Sequence, residues 1–585
     1  MSIIRRRRRI AAKAHQFAEN PLLQLALPDW RSRFVVLTLL FLFLVLLGQA
    51  FYLQVIHNDT LQKEGNSRYL RDLEVPASRG KIAYRNGDLL AISAPMKSIW
   101  AIPVDARLEP QQQKALATLL EMEPKELNRR LASEKNFVYL RRQVAPETAA
   151  RIAALQLPGI FQGDEFRRFY PAAEMAAHVV GFSGIDDKGQ EGVELAFQDE
   201  LTGVPGHRSV IRDRRGQIVE DVKGMRPPQD GQDILLTLDS KIQYLAFSAI
   251  KEAVIEHRAR AASAVVLDAQ NGEVLALANW PSYNPNNFAQ RYGSKLRNLA
   301  VTDSFEPGST LKPFTVALAL EKGRYRFDSI IDCSPGRLTI GNATISDSHA
   351  HGQLTLAQVI QKSSNVGTAK IAAAFQPKEM WEMFNSLGFG APPHLDFPGV
   401  VGGRLRPWKS WQPIEQATMS YGHGISTSLL QLASSYLVFA RDGDLVPLSL
   451  RLREGPPPRG VPVFSSQTAR EMRAMLEMAV RPGGTAPRAQ VPGYRVGGKT
   501  GTAYKIEGMD YARDRYVASF VGIAPMSAPR LVVAVMIDEP SAGQHYGGTV
   551  AAPVFARITA GALRTLGVAP DMPVQVAALP AEPPL

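Results

Sequence analysis

Cysteine is nearly absent from this chain, since Cys333 is the only one among 585 residues. A single thiol cannot form an intramolecular disulfide, and it cannot supply the several sulfur ligands of a cysteine-built metal site. Internal repeats are lacking as well. The composition therefore excludes a disulfide scaffold and a repeat architecture, although it does not identify the cellular compartment.

A strong positive charge is also lacking outside the N-terminus. The net charge is +12, and much of it lies in the first 33 residues, in Arg5 to Arg9, Lys13, Arg31 and Arg33. The remaining 552 residues have a net charge of only about +6, which is too dilute for a nucleic-acid surface. We therefore expect no nucleic-acid partner.

One long uncharged run stands out, from Phe34 to Ile56. Its 23 residues can cross about 30 Å of hydrocarbon as a helix. The basic residues ahead of it predict a cytoplasmic N-terminus and a periplasmic remainder. Gly48-Gln49-Ala50 resembles a signal-peptide cleavage site, but the apolar run continues beyond it. The sequence favours an uncleaved, single-pass anchor in the inner membrane.

A chain of this length contains more than one domain. Residues 1–33 form a basic cytoplasmic tail, 34–56 the anchor and 57–225 a mixed spacer without a catalytic cluster. A Pro/Gly-rich break at 225–231 then begins a second domain, predicted over 226–568. The Ala/Pro-rich residues 569–585 are predicted to be a disordered tail.

The second domain combines helical and strand patterns. KIQYLAFSAIKEAVIEH (241–257) has apolar residues at helical spacing, and SAVVLDAQNGEVLALA (263–278) indicates two strands joined tightly at Asn271-Gly272. Three more strand-like runs, RVGGKTGTAY, YVASFVGIAP and RLVVAVMID, lie within 495–538. These two blocks predict an α+β domain with one five-stranded antiparallel sheet flanked by helices.

The pattern Ser-x-x-Lys occurs three times, at Ser78, Ser248 and Ser309. Ser248 lies inside a predicted helix and Ser78 in a turn-like stretch of the spacer. Ser309 follows a Pro-Gly break and begins a helical run, STLKPFTVALALEKG, where the first N–H groups have no partner within the helix. Helical spacing places Lys312 on the face of Ser309. This stretch alone also fits a serine-capped helix with an exposed lysine.

Two further motifs favour chemistry at Ser309. Ser363 and Asn365 supply a hydroxyl and an amide in QKSSNVGTAK, and GGKTGTA (497–503) places Lys499 between glycines in a strand. Glycine in a strand often marks a close approach by another backbone. Ser-x-x-Lys, Ser-x-Asn and Lys-Thr-Gly in this order are the motif set of penicillin-binding proteins and serine β-lactamases.

The neighbourhoods of these motifs resemble the class B penicillin-binding proteins, and within them the division-specific peptidoglycan D,D-transpeptidases. SYNPN, FEPGSTLKP, QKSSNVG, GKTGTA and YGGTVAAPVF carry the resemblance, which extends over roughly residues 34–568 and includes RGKIAYRNGDLLA and GFSGIDDKGQEGVE in the spacer. It implies that residues 57–225 are a pedestal (dimerisation-like) domain. Tyr84 stands where this family usually has aspartate, which leaves the local spacer contacts unassigned.

A serine hydroxyl needs a base to attack a carbonyl, and Lys312 is the candidate, provided that its amine is neutral. Ser363 can relay the proton, and Asn365 can hold the substrate amide. The resemblance implies an oxyanion site made by the N–H groups of Ser309 and Thr502. Lys499, Thr500 and Thr502, together with Gly501 between the two threonines, form the predicted site for a substrate carboxylate.

The implied substrate is a peptidoglycan stem peptide ending in D-Ala-D-Ala, which is cross-linked or hydrolysed through an acyl-enzyme that β-lactams also form. No cofactor or metal is implied. The resemblance further implies partners among FtsW-type glycan polymerases and other division proteins, and enrichment at the septum. A side-wall transpeptidase and a non-catalytic β-lactam sensor or scaffold remain alternatives. A β-lactamase and a bifunctional synthase are disfavoured, because no deacylating base and no glycosyltransferase signature is recognisable.

Overall fold

The computed structural model describes residues 28–59, 61, 70–212, 218–221, 226–508 and 510–573. Arg5 to Arg9, Lys13 and most of the predicted C-terminal tail lie outside these ranges. The chain divides into two compact units. One comprises residues up to Glu74 together with His207–Pro227, and the other comprises Val75–Gly206 together with Pro228 onwards.

The first unit contains the apolar segment. Asp29–Phe51 is an α-helix that continues as a π-helical turn over Tyr52–Ile56, and its apolar side chains are exposed. Among the described residues, this 28-residue element is the one helix long and apolar enough to cross a membrane. The same unit contains an antiparallel pair, Gly206–Arg212 with Ile218–Asp221, and Leu70–Val75 joins its sheet.

The N-terminal part of the second unit is a mixed layer of strands and short helices. Its central strand, Leu89–Ala101, pairs antiparallel with Ile160–Phe169 and with Val138–Val144. Its helices are Pro110–Leu119, Pro124–Leu131, Pro146–Ala154, Ala177–Val180, Gly192–Ala196 and Gln198–Leu201, with a 3₁₀ turn at Ala173–Met175. The helix Pro124–Leu131 is formed by the charged sequence PKELNRRL.

A buried charge cluster holds this part together. Arg79 and Arg168 each donate from Nε to a different carboxylate oxygen of Glu194 at 2.6 Å, and all three side chains are almost completely buried. The outer nitrogens of the two guanidinium groups also donate to backbone carbonyls, including that of Gly80 at 2.7 Å. One carboxylate thus neutralises two arginines, and backbone carbonyls satisfy several of the remaining donors.

The alternating segment DILLTL (233–238) is strand only at Ile234–Leu235. It pairs in parallel with Ile82–Ala83 of the preceding part. One residue later, Leu236 forms an antiparallel bridge with Arg451, on the C-terminal side. The extended run is short because its backbone changes partner here, so this segment is hydrogen-bonded to both parts of the second unit.

The C-terminal part contains the predicted five-stranded antiparallel sheet. Its spatial order is Val274–Trp280, Ala261–Asp268, Leu531–Asp538, Asp510–Ala524 and Gly497–Glu507. The α+β fold with a helix-flanked antiparallel sheet is therefore confirmed. The first two strands form the predicted hairpin, but the connection spans Ala269 to Gly272 and is closed by a hydrogen bond from Asp268 N–H to the Glu273 carbonyl (2.9 Å), so it is longer than a two-residue turn.

Helices cover both faces of this sheet and divide the core in two. Ser240–His257, capped by the Asp239 side chain, and Ala552–Thr565 pack on one face. The other α-helices are Leu299–Thr302, Lys312–Glu321, Leu356–Lys362, Asn365–Ala372, Pro377–Ser386, Pro413–Met419, Leu429–Ala440, Ser466–Val480 and Gly547–Val550. Most of these helices contribute to the larger core on the opposite face, notably the almost wholly buried Leu429–Ala440.

Short elements complete the unit. The two-stranded pairs are Ile330–Asp332 with Gln353–Thr355, Arg337–Ile340 with Ala343–Ser346, and Asp444–Leu445 with Val461–Pro462. The 3₁₀ turns are Phe288–Gln290, Ser294–Leu296, Gly308–Leu311, Trp408–Ser410 and Pro487–Ala489. At the start of the predicted tail, Asp571 accepts a hydrogen bond from the N–H of Arg495 at 2.6 Å, which ties that residue to the sheet domain.

The buried cluster generates a stability prediction. Glu194→Gln removes the charge that neutralises Arg79 and Arg168, and breaking a buried ion pair costs roughly 3–5 kcal/mol. We expect the melting temperature Tm of the purified full chain to fall by about 5 °C or more. The control is Asp164→Asn, which breaks an exposed pair with Lys97 and should change Tm little. Equal Tm values for the two variants would contradict the prediction.

Candidate active site

Ser309 lies in a tight turn rather than in a continuous α-helix. Gly308–Leu311 is a 3₁₀ turn, and the α-helix begins at Lys312 and ends at Glu321. In a 3₁₀ turn, residues three apart are eclipsed, so Ser309 and Lys312 share one face. The turn requires glycine at position 308, where φ is +53°. The helix type at Ser309 therefore differs from the sequence prediction, and the role of Lys312 beside Ser309 stays a prediction.

The other two Ser-x-x-Lys pairs lie in different surroundings. Ser248 is in the middle of the helix Ser240–His257, and its partner Lys251 forms a partly exposed ion pair with Glu174 at 2.9 Å. Ser78 is half-buried, and its backbone N–H donates to Asp230 at 2.8 Å. Neither serine is accompanied by a buried lysine, whereas Lys312 is fully buried.

The Lys312 amine connects the Ser309 turn to the Ser-x-Asn motif. Its Nζ donates a hydrogen bond to Ser363 Oγ at 3.1 Å and also contacts the Ser363 carbonyl oxygen. Ser363 ends the helix Leu356–Lys362 in a left-handed conformation, with φ at 60°. A residue other than glycine holds this conformation only where its surroundings fix it. Lys312 provides such a contact.

Asn365 begins the following helix, Asn365–Ala372, and its side-chain amide donates to the Ser346 carbonyl at 2.9 Å. A carboxylate that the sequence did not single out anchors this helix start. Asp347 accepts hydrogen bonds from the N–H groups of Asn365 and Val366 (3.0 Å for Val366) and from the Ser364 hydroxyl at 2.7 Å. An anion at a helix N-terminus satisfies N–H groups that have no partner within the helix.

The strand Gly497–Glu507, hereafter the Lys499 strand, lies at the edge of the five-stranded sheet. Lys499 is fully buried, and its Nζ donates to Thr500 Oγ1 and to the Thr500 carbonyl, both at 3.2 Å. A Cβ atom on Gly501 would lie 2.8 Å from the Pro307 carbonyl oxygen and 3.0 Å from the Thr310 methyl group. Glycine therefore lets this strand lie directly against the Ser309 turn.

Thr502 faces the same junction. A Cβ atom on Gly308 would lie 3.5 Å from the Thr502 carbonyl oxygen, and Thr502 Oγ1 accepts a hydrogen bond from the Gly547 N–H at 3.1 Å. The structure thus brings the Ser309 turn, the Ser363 turn and the Lys499 strand together. It also places the Thr500 side chain within 3.3 Å of the Thr485 hydroxyl.

We call the space between the Ser309 turn, the Ser363 turn and the Lys499 strand the cavity, and its electrostatics favour neutral amines. Burial lowers the pKa of Lys312 well below its usual value, and the nearby positive charge of Lys499 lowers this pKa further, against an opposing effect from Asp347. Burial also lowers the pKa of Lys499 to about 7. An amine with a lowered pKa can accept a proton near neutral pH, as a general base must.

A second carboxylate to which the sequence assigned no role lies three residues before Ser309. Glu306 is buried and accepts hydrogen bonds from the Gly424 N–H at 2.7 Å and from the Tyr511 hydroxyl at 3.0 Å. Asp347 lies outside the quoted motifs, whereas Glu306 lies within FEPGSTLKP. Local patterns did not reveal the contacts of either carboxylate, because their partners are distant in sequence. In the part of the chain that the structure describes, no cluster of three or more His, Cys, Asp or Glu residues is placed to hold a metal ion.

Two regions of the chain match known families. Residues 262–560 match the penicillin binding protein transpeptidase domain, and residues 74–236 match the penicillin-binding protein dimerisation domain. The match of residues 74–236 includes Ile234–Leu236, the segment that pairs with both parts of the second unit. The match of residues 262–560 contains all three motifs of the cavity.

Named relatives are similar over nearly the whole chain. The probable peptidoglycan D,D-transpeptidase PenA of Neisseria gonorrhoeae is 42% identical, with 94% of this chain and 95% of PenA covered. The peptidoglycan D,D-transpeptidase FtsI of Escherichia coli is 40% identical, with 93% of each covered.

A solved structure agrees with these matches. The transpeptidase domain of Burkholderia pseudomallei penicillin-binding protein 3 is 50% identical to this chain, with a TM-score of 0.54. The alignment covers 58% of this chain and 98% of that domain. With the three motifs gathered in one cavity and relatives of this similarity, the chain belongs to the class B penicillin-binding proteins, the family of serine-type peptidoglycan D,D-transpeptidases.

Proposed function

We propose that this protein cross-links peptidoglycan stem peptides at the division septum through an acyl-enzyme on Ser309. The observation that carries the proposal is the position of Lys312. This residue begins the helix after the Ser309 turn, its side chain is fully buried, and its Nζ lies 3.1 Å from Ser363 Oγ. An amine in this position, with its pKa lowered, is suited to take the proton of an attacking serine.

In the first half-reaction, Ser309 Oγ attacks the carbonyl of the penultimate D-alanine and its proton passes to Lys312. A tetrahedral oxyanion forms, and the backbone N–H groups of Ser309 and Thr502 stabilise it. Such a donor typically contributes about 100- to 1000-fold in rate. The proton then moves through Ser363 to the amine of the leaving D-alanine as the peptide bond breaks.

In the second half-reaction, a primary amine from a neighbouring stem attacks the ester carbonyl. The amine loses a proton to Lys312 through Ser363, the new amide forms, and Ser309 Oγ leaves as a hydroxyl. Water in place of the amine gives hydrolysis, the carboxypeptidase reaction. The same residues serve both half-reactions, because the first converts an amide into the Ser309 ester and the second converts that ester into an amide.

The remaining predicted residues hold the substrate. Asn365, fixed by Ser346, binds the donor peptide amide. Lys499, Thr500 and Thr502 bind the terminal carboxylate, and Gly501 lets their strand approach Ser309. A β-lactam combines a reactive carbonyl with a carboxylate and therefore occupies the same places. The predicted domain division, with residues 57–225 as the pedestal and 226–568 as the catalytic domain, belongs to this proposal.

The site of action rests on similarity and on the anchor. The apolar helix Asp29–Phe51 and the basic residues ahead of it support a single span with a cytoplasmic N-terminus and a periplasmic catalytic domain. FtsI among the relatives supports action with division proteins, including an FtsW-type glycan polymerase. The donor chemistry is the same in septal and side-wall synthesis, so the cavity itself does not distinguish them.

The first test of the mechanism is covalent labelling. After incubation with penicillin, we expect mass spectrometry to locate one penicilloyl adduct on the peptide containing Ser309. The reason is the combination of a helix-start position with the buried Lys312. An adduct on Ser248 or Ser78, or a wild-type protein without an adduct, would contradict the mechanism.

The second test removes the amine alone. Lys312→Met keeps a side chain of similar length without a basic group, so we expect acylation by penicillin to slow by at least about 100-fold. Stability should not decrease, because burying an amine is unfavourable. Lys251→Met, in the unrelated Ser248-x-x-Lys251 pair, is the matched control and should leave acylation unchanged. Acylation of the Lys312→Met variant at the normal rate would show that Lys312 is not the base.

The third test concerns location in the cell. Depletion of the protein, or its selective inhibition, should produce long undivided filaments of normal width, and a fluorescent fusion should gather at midcell. A fusion with Ser309→Ala is the control for binding without catalysis and should still reach midcell. Rounded, swelling cells with a dispersed signal would instead assign the protein to side-wall synthesis.

A further inference from the structure

A second cavity opens beside the Lys499 strand. Its volume is about 550 Å³, and His257, Thr485, Arg488, Gln544 and Thr549 contribute its polar lining. We call it the Arg488 pocket. None of these five residues belongs to the three motifs, and the mechanism above assigns none of them a role.

The wall of the Arg488 pocket touches the substrate-binding strand. Thr500 Oγ1 donates a hydrogen bond to Thr485 Oγ1 at 3.3 Å. Gly548, which also lines the pocket, is packed so closely that a Cβ atom there would lie 3.4 Å from the Thr500 methyl group and 2.2 Å from the Thr485 carbonyl oxygen. The pocket is therefore adjacent to the proposed carboxylate site, and Thr500 lies between the two.

The chemistry of transpeptidation requires room on this side of the cavity. In the proposed mechanism, Thr500 and Thr502 bind the carboxylate of the D-alanine that leaves. The acceptor amine must approach the ester carbonyl from the position that the D-alanine amine vacated, because the same proton relay serves both steps. The chain attached to the acceptor amine is therefore expected to extend past Thr500, towards the Arg488 pocket.

The charges of the pocket fit an anionic ligand. Arg488 is exposed, and within the described part of the chain it has no ion-pair partner. The hydroxyl and amide groups of Thr485, Thr549 and Gln544 add hydrogen-bonding capacity, and Glu256 is the one carboxylate in the lining. A guanidinium group binds carboxylates through two parallel N–H donors. Stem peptides carry free carboxylates beside their amine.

We propose that the Arg488 pocket binds the acceptor stem peptide, with a carboxylate of that peptide paired to Arg488. This inference rests on the proposed function, because it takes the orientation of the leaving D-alanine from the proposed mechanism. It assigns the second substrate of the reaction to residues outside the three motifs. It also separates acceptor recognition from the donor chemistry at Ser309.

The test measures acceptor binding with the path past Thr500 open. The full chain in detergent is kept unacylated, because a penicilloyl group retains the thiazolidine ring in that path, and the tripeptide L-Ala-γ-D-Glu-meso-diaminopimelate, labelled with a fluorophore on its L-alanine, is titrated by fluorescence anisotropy at low salt. We expect saturable binding to the wild type. Arg488→Gln should weaken binding about threefold, and Arg488→Glu at least about tenfold, because the second variant replaces attraction with repulsion.

Two controls isolate the carboxylate contact. Arg453→Glu reverses the charge of another exposed arginine, outside the pocket lining, and should change the affinity less than twofold. The same tripeptide with its carboxylates amidated should bind weakly and with equal affinity to the wild type and Arg488→Glu.

The outcomes that oppose the two proposals differ. An affinity unchanged in Arg488→Glu would overturn the assignment of the pocket, and so would a wild type that penicillin acylates on Ser309 in a separate sample but that shows no saturable tripeptide binding when unacylated. A wild type that forms no penicilloyl adduct on Ser309 would overturn the proposed function instead. Circular dichroism of each variant verifies that the fold is retained.

Discussion

The burial of two lysine side chains in one cavity is the constraint on which the rest of this site depends. Lys312 and Lys499 are both fully buried, and two positive charges so placed would each be desolvated and would repel each other. The favoured state keeps at least one amine neutral. The surrounding turns and strand hold the two amines in place. The Lys312 amine donates to Ser363 Oγ, and the Lys499 amine donates to Thr500 Oγ1.

Close backbone packing provides that rigidity. Gly501 allows the Lys499 strand to touch the Pro307 carbonyl, and Asp347 fixes the start of the helix that carries Asn365. Both contacts join segments far apart in sequence, so neither can relax without the other parts of the cavity moving. Further away, Ile234–Leu236 hydrogen-bonds to both parts of the second unit and joins the N-terminal strands to the sheet domain.

The sequence predicts the elements of this structure better than their contacts. The Pro-Gly break before Ser309, the periodicity of the helix Ser240–His257 and the five β-rich runs are local signals, and the structure contains each of them. The 3₁₀ form of the Ser309 turn was not predictable, because it depends on packing against the Lys499 strand. Asp347 gave no local signal either, since the groups that it binds lie 17 to 19 residues away.

The tight fit around Gly501 limits how the protein can evolve under β-lactam exposure. Any larger side chain at this position meets the Pro307 carbonyl and the Thr310 methyl group, and both belong to the turn that carries Ser309. Added bulk at this position therefore displaces the turn that carries Ser309, and it would disturb acylation by a β-lactam and by the stem peptide together. Position 501 is thus closed to substitutions that exclude the drug alone.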